Sequence, residues 1–312
     1  MSLQTNTNAS GDRQNGFRIL MPLDGSELAA KALPVAEAIC RQLSAELHLV
    51  SVVPYLALPY AGIGTYVSGE TYQRIEGDRE RAARRTLEQA ALAAHEHGVQ
   101  AEIHLERGDV AGRVLDSADD LGVDLIVMTT HGRTGLARFA LGSVADRVVR
   151  GGAAPALLLR SFAADDRQTD FTDVDLSYAL VPLDGSAEAE APLFSIVATL
   201  AGHVLSAITL LRVTDPRDGD EGERECDRYL EDARHRLSQQ LAGRDCAINT
   251  LVLGGRNPAE RIVSFTEEGP YHLVVMATHG EAGVGRWAFG SVTDRVLRDG
   301  KLPLLLAHPP SK

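Results

Sequence analysis

Two runs rich in glycine, serine, histidine, arginine and aspartate occur twice in this 312-residue chain. Met128–Arg150 reads MTTHGRTGLARFALGSVADRVVR and Met276–Arg298 reads MATHGEAGVGRWAFGSVTDRVLR, with 14 of 23 positions identical at an offset of 148. Pro22-Leu23-Asp24-Gly25-Ser26 likewise recurs as Pro182-Leu183-Asp184-Gly185-Ser186. Repeated residues of these types point to a site rather than to a core stripe. Gly142-Ser143-Val144-Ala145-Asp146 and Gly290-Ser291-Val292-Thr293-Asp294 read as helix starts. Ser143 and Ser291 are expected as N-caps, and Asp146 and Asp294 as their capping-box partners. The free amides and positive dipole end of such a helix suit a phosphate. A glycine ahead of the cap lets an oxygen reach the backbone without meeting a Cβ. Gly132 and Gly280 supply a second close approach, and Arg138 and Arg286 add charge at equivalent positions. Asp24 and Asp184 fit two roles, a turn that caps a helix or a ligand contact. Their recurrence at one place in a duplicated unit favours the contact.

Two landmarks in the same order in both halves mean a duplicated domain. Each half alternates short apolar runs with helix-patterned stretches, the signature of a parallel sheet with crossover helices. The strands are expected at Phe17–Leu23, Glu46–Val52, Gln100–Leu105, Leu125–Met128 and Pro155–Leu159, then at Tyr178–Leu183, Ala207–Arg212, Asn249–Leu253, Leu273–Met276 and Pro303–Leu306. Runs such as ALLL and LLLA are apolar throughout, as in strands covered on both faces. Leu28, Ala32, Leu33, Ala36, Ile39 and Leu43, and later Leu87, Ala90, Ala91 and Ala94, are core-facing helical stripes. The expected organisation is a tail over 1–16, a unit over 17–160, an acidic linker over 161–176 and a second unit over 177–308. Matching Val52 to Val213 and Leu105 to Leu253 puts 13 extra residues in the first half, within Pro54–Gly69. This aromatic, glycine-bearing stretch reads either as a lid over a ligand or as ordinary loop drift. In an open parallel sheet ligands sit beyond the carboxyl ends of the strands, where the strand order switches. Asp24, Asp184, Gly132 and Gly280 all follow strands there.

Bulk properties narrow the partners. A net charge of −12, from 43 acidic and 31 basic residues, repels phosphate backbones and argues against nucleic acid. Cys40, Cys226 and Cys246 show no metal-ligand spacing, and three cysteines fit a reducing compartment. The first 16 residues are polar, without the apolar core of a signal peptide. No apolar run approaches the roughly 20 residues that cross a bilayer. A cytoplasmic protein with no membrane partner is expected.

A glycine, nine residues, then Gly-Ser, placed after an apolar strand ending in Met, resembles the nucleotide-binding signature of the universal stress protein family. In its ATP-binding branch that pattern is G-x-x-G, nine residues, then G-(S/T). The chain matches at Gly132…Gly142-Ser143 and Gly280…Gly290-Ser291, and Asp24 and Asp184 match the family's acidic residue near adenine and ribose. The first glycine of G-x-x-G is replaced by Thr129 and Ala277. The resemblance implies two tandem α/β units, each a five-stranded parallel sheet of order 3-2-1-4-5 flanked by helices. It further implies pairing through the fifth strands, adenine-nucleotide (ATP) binding with Mg²⁺, and a regulatory role in stress response with at most slow ATP hydrolysis. Carried across, the binding residues are Pro22, Leu23, Asp24, Val52, Met128, Thr129, Gly132, Arg133, Gly142, Ser143 and Val144. The second set is Pro182, Leu183, Asp184, Val213, Met276, Ala277, Gly280, Gly290, Ser291 and Val292. Within one chain the fifth strands form an intramolecular pseudo-dimer, and two chains can then associate. Glu281 stands where the first half has Arg133, so the second site is expected to be the weaker for an anionic ligand.

Two other readings stay open. One is an interaction scaffold with degenerate sites, for which Thr129, Ala277 and Glu281 speak. The other is an enzyme of the related adenine-nucleotide α-hydrolase group, which calls for an SGGxDS-like loop where this chain has DGSEL and DGSAE. His131 and His279 have no nucleophile or carboxylate at a catalytic spacing, and no P-loop, strand-linked GxGxxG, HExxH or GxSxG motif is present.

Overall fold

The computed structural model describes residues 16–56, 69–130, 141–160, 170–278 and 289–308. The N-terminal tail, most of the 54–69 insertion and residues 131–140 and 279–288 lie outside these residues, and with them Gly132, Arg133, Arg138, Gly280, Glu281 and Arg286. In the first half β1 (Arg18–Pro22), β2 (Glu46–Val53), β3 (Ala101–Arg107), β4 (Leu125–Thr129) and β5 (Ala156–Leu159) alternate with helices. These are α1 (Glu27–Lys31), α2 (Leu33–Leu43), α3 (Gly69–Glu96), α4 (Val110–Leu121) and α5 (Ser143–Gly151). The second half repeats the series with β6 (Tyr178–Pro182), β7 (Ala207–Thr214), β8 (Ala247–Gly254), β9 (Leu273–Ala277) and β10 (Leu304–Ala307). Its helices are α6 (Ala187–Leu200), α7 (Gly219–Gln240), α8 (Pro258–Glu268) and α9 (Ser291–Asp299).

The ten strands form one sheet of order β3-β2-β1-β4-β5-β10-β9-β6-β7-β8, so each half has the order 3-2-1-4-5 with parallel neighbours. The halves meet where β5 and β10 run antiparallel, with Leu157 opposite Leu305. These two strands are wholly buried, ALLL against LLLA. Left unpaired, each would be an apolar sheet edge open to aggregation. One face of the sheet packs on α1, α2 and α3 and on α6 and α7, through Leu28, Ile39, Leu87, Leu193 and Leu230. The other packs on α4, α5, α8 and α9, through Val114, Val148, Ile262 and Val296. Both cores run across the two halves without a break.

Three local expectations are corrected. Ser51 pairs with Leu105 and the matching Arg212 pairs with Val252, so the counterpart of Leu105 is Val252 and not Leu253. Leu105 and Val252 face the same core, and a one-residue slip would have turned one of them to the opposite face. The compensating residue is Arg256, just ahead of Asn257, the N-cap of α8. Of the stretch read as an acidic linker, residues 170–176 pack against the fold, with Phe171 and Leu176 buried in the core. Ser143 and Ser291 are not N-caps. The Gly142 and Gly290 carbonyls already accept the first intrahelical bonds, from the Asp146 and Asp294 amides at 2.8 and 2.9 Å, which makes the glycines the caps. Asp146 and Asp294 then lie beyond capping reach and pair with Arg150 and Arg298 one turn on.

Candidate functional site

β1 and β4 are adjacent and parallel, and the chain leaves them toward opposite faces of the sheet. A cleft of about 260 Å³ opens at their carboxyl ends, and one of about 370 Å³ opens at the equivalent ends of β6 and β9. The first is lined by Pro22, Leu23, Asp24, Val52, Met128, Thr129, Gly142, Ser143 and Val144, among others. The second is lined by Pro182, Leu183, Asp184, Val213, Met276, Ala277, Gly290, Ser291 and Val292. Every candidate residue within the described chain is thus gathered in its own half's cleft.

The strands set the walls. The Leu23 amide donates to the Val50 carbonyl and the Leu183 amide to the Leu211 carbonyl, both at 2.8 Å, so the sheet holds the chain up to the aspartates. Asp24 Oδ1 accepts from the Ser26 amide at 2.9 Å and Asp184 Oδ1 from the Ser186 amide at 3.0 Å. The turn between is closed by Gly25 and Gly185 at φ 79° and 95°, where a side chain would be strained. Each carboxylate therefore shapes its turn and also lines its cleft. Thr129 and Ala277 end regular strands and neither has a positive φ, so this position needs no glycine backbone.

Facing the aspartates are the first turns of α5 and α9. Neither Gly142 nor Gly290 can offer a capping side chain, and no side-chain cap bond is made there among the described residues. Amides of a first helical turn have no partner within their own helix. Each helix cap is tied back to the residue after its strand, the Gly142 amide donating to the Thr130 carbonyl at 2.7 Å and the Gly290 amide to the Thr278 carbonyl at 2.9 Å. α5 is further fixed by Arg147, which donates two bonds of 2.7 Å to the carboxylate of Asp109, the N-cap of α4. These bonds, with that from the Gly112 amide, hold the Asp109 carboxyl below the usual carboxylate range.

Lining residues missed from sequence include Val50, Val110 and Val114 in the first cleft and Leu211, Pro258 and Ile262 in the second. They lie outside the repeated motifs and supply apolar wall. Arg212 is the consequential omission. Its guanidinium donates to the Leu183 carbonyl, lies 5.2 Å from the Tyr229 ring centroid and lines the second cleft. Tyr229 in turn donates to buried Glu190, whose other oxygen accepts from Arg236 at 2.7 Å. Ser51 takes the place of Arg212 in the first half, beside a hollow of about 220 Å³ that also borders Asp24, Arg79 and Thr86. A charged residue interrupting the apolar run AITLLRVT was the available signal for Arg212.

Comparison with known proteins agrees with this construction. The profile of the Universal stress protein family matches residues 17–160 and 179–308. Universal stress protein MJ0531 of Methanocaldococcus jannaschii is 31% identical over 146 residues, which is 46% of this chain and 81% of that protein. Universal stress protein Slr1230 of Synechocystis is 24% identical over 310 residues, covering 92% of this chain and 98% of its own, so that similarity spans both halves. A crystal structure of a universal stress protein from Archaeoglobus fulgidus has the same fold, with a TM-score of 0.68 at 17% identity over 94% of this chain and 98% of that one. The chain belongs to the universal stress protein family, with the family unit present twice.

Proposed function

We propose that this protein is an adenine-nucleotide-binding regulator of the stress response, with ATP held in each cleft and Mg²⁺ accompanying its phosphates. The observation that carries this reading is the facing pair in each cleft: a helix N-terminus whose glycine cap offers no side chain, opposite a strand-end aspartate. Phosphate oxygens suit the amides of Ser143 and Val144, or of Ser291 and Val292, with the serine hydroxyls alongside. The carboxylates of Asp24 and Asp184 suit ribose hydroxyls, from which they would accept. The apolar wall of Val50, Val52, Met128 and Val114, or of Leu211, Val213, Met276 and Ile262, suits the base.

The described lining offers one carboxylate per cleft, Asp24 in the first and Asp184 in the second. β5 and β10, the strands this family uses for pairing, are joined within the chain, so association of two chains must use another surface. The test is native mass spectrometry of untagged protein purified without added nucleotide and then given ATP. A mass increment released on denaturation and identified as ATP or ADP is expected. A chain that stays empty at millimolar ATP would overturn the proposal.

A further inference from the structure

Away from the clefts, two histidines and a glutamate converge on the β2–β3 edge of the first half. His48 lies directly opposite Glu102, and His104 follows two residues on along β3, on the same face. His48 Nδ1 is 3.1 Å from His104 Nε2 and 3.6 Å from Glu102 Oε2, and the three ligand atoms all lie within 4.8 Å of one another. Tetrahedral nitrogen and oxygen ligands about 2.0–2.1 Å from a zinc ion sit roughly 3.3 Å apart, and the two short separations bracket that value. His48 is only 5% exposed, so its ring is fixed by packing between strands. Its other nitrogen, Nε2, is buried without a hydrogen-bond partner and lies 3.8 Å from Glu46 Oε2. A carboxylate behind the remote nitrogen is the usual support of a metal-bound imidazole. Arg18 already bonds Glu46 at 2.9 Å, which holds that carboxylate in place. A hollow of about 700 Å³ borders Glu46, His48 and Glu102, and Glu102 itself is exposed to solution.

We propose that His48, Glu102 and His104 form a three-ligand site for a divalent transition-metal ion of the zinc type, with the remaining position open to water. The second half serves as an internal control. The register places Thr209, Asn249 and Leu251 where the first half has His48, Glu102 and His104. There the Tyr178 hydroxyl lies 3.2 Å from Thr209 Oγ1 and accepts from Asn249 at 3.4 Å, an uncharged patch that offers no imidazole. One metal ion per chain is therefore expected, carried by the first half. Val50 and Val52 continue the His48 face of β2 into the first cleft, so the metal site and that cleft share a strand.

The test uses the untagged full-length chain, with zinc titrated against a chromogenic chelator and cobalt(II) as the spectroscopic probe. One zinc per chain and visible cobalt bands of four-coordinate intensity are expected. His104→Asn and Glu102→Gln change more exposed ligands and should each weaken zinc binding by at least about tenfold, with unaltered circular dichroism. Absence of zinc uptake at micromolar metal, or zinc binding by folded His104→Asn equal to that of the parent, would overturn the proposal. The His48–His104 contact would then be an ordinary N–H···N hydrogen bond.

Discussion

The guanidinium carbon of Arg150 lies 4.1 Å from the ring centroid of Phe289, and this contact joins the two halves beside the second cleft. Arg150 sits in the last turn of α5, which bounds the first cleft, and Phe289 immediately precedes Gly290, the cap of α9. The ring is buried, so the cation meets it partly out of water, where such contacts are strongest. Leu141 takes the place of Phe289 in the first half, so the equivalent position there has no ring.

Phe289→Leu copies the first half and keeps most of the bulk. It should cost about 0.5–2 kcal/mol in urea unfolding. The same change in an Arg150→Met background should cost less, because the ring would then have lost its cation already. Equal costs in both backgrounds would show that packing alone holds the seam.

Tyr229→Phe leaves Glu190 Oε1 without its donor while Arg236 still holds the other oxygen. Burial, followed by the Glu190 hydrogen bond, pushes the Tyr229 phenol above its ordinary pKa, so it donates at neutral pH. A loss of about 1–3 kcal/mol is expected, the penalty for a buried acceptor left unpaired. Equilibrium denaturation checks it.

Asp109→Asn retains a capping oxygen, as Asn257 does in the second half, but gives up the paired bonds from Arg147. The folded state lowers the Asp109 pKa, so its contribution is complete above the ordinary aspartate range and fades as pH falls through the folded value. The variant should melt below the parent at pH 7 by a margin that is constant down to about pH 5 and closes in stronger acid. Melting curves across that range test the sign. A margin that widens in acid would contradict it.

Much of this architecture was legible because its cause is local. The ALLL and LLLA runs announce strands covered on both faces, and the recurring Asp-Gly-Ser and Gly-Ser pairs mark the same two strand ends in each half. The cap at α5 was misread because a serine followed three residues later by an acid resembles a capping box. The backbone instead enters the helix one residue earlier, at Gly142. Arg212 escaped because its strand position points it toward the helix layer, and only its length brings the guanidinium back to the cleft beside Gly185. It also gives the second cleft a cation that the described lining of the first lacks. The His48, Glu102 and His104 grouping depends on strand register, which no single-strand pattern reveals.

The most direct test of the nucleotide account is calorimetry with ATP on the parent, Gly142→Val, Gly290→Val and the double variant. Neither glycine has a positive φ, at −60° and −56°, so a side chain there meets no left-handed backbone strain. The new side chain would stand where phosphate meets the helix amides. Each single variant should lose binding in its own half, and the double variant should bind no ATP while remaining folded by circular dichroism. A folded double variant that binds ATP as tightly as the parent would contradict the account.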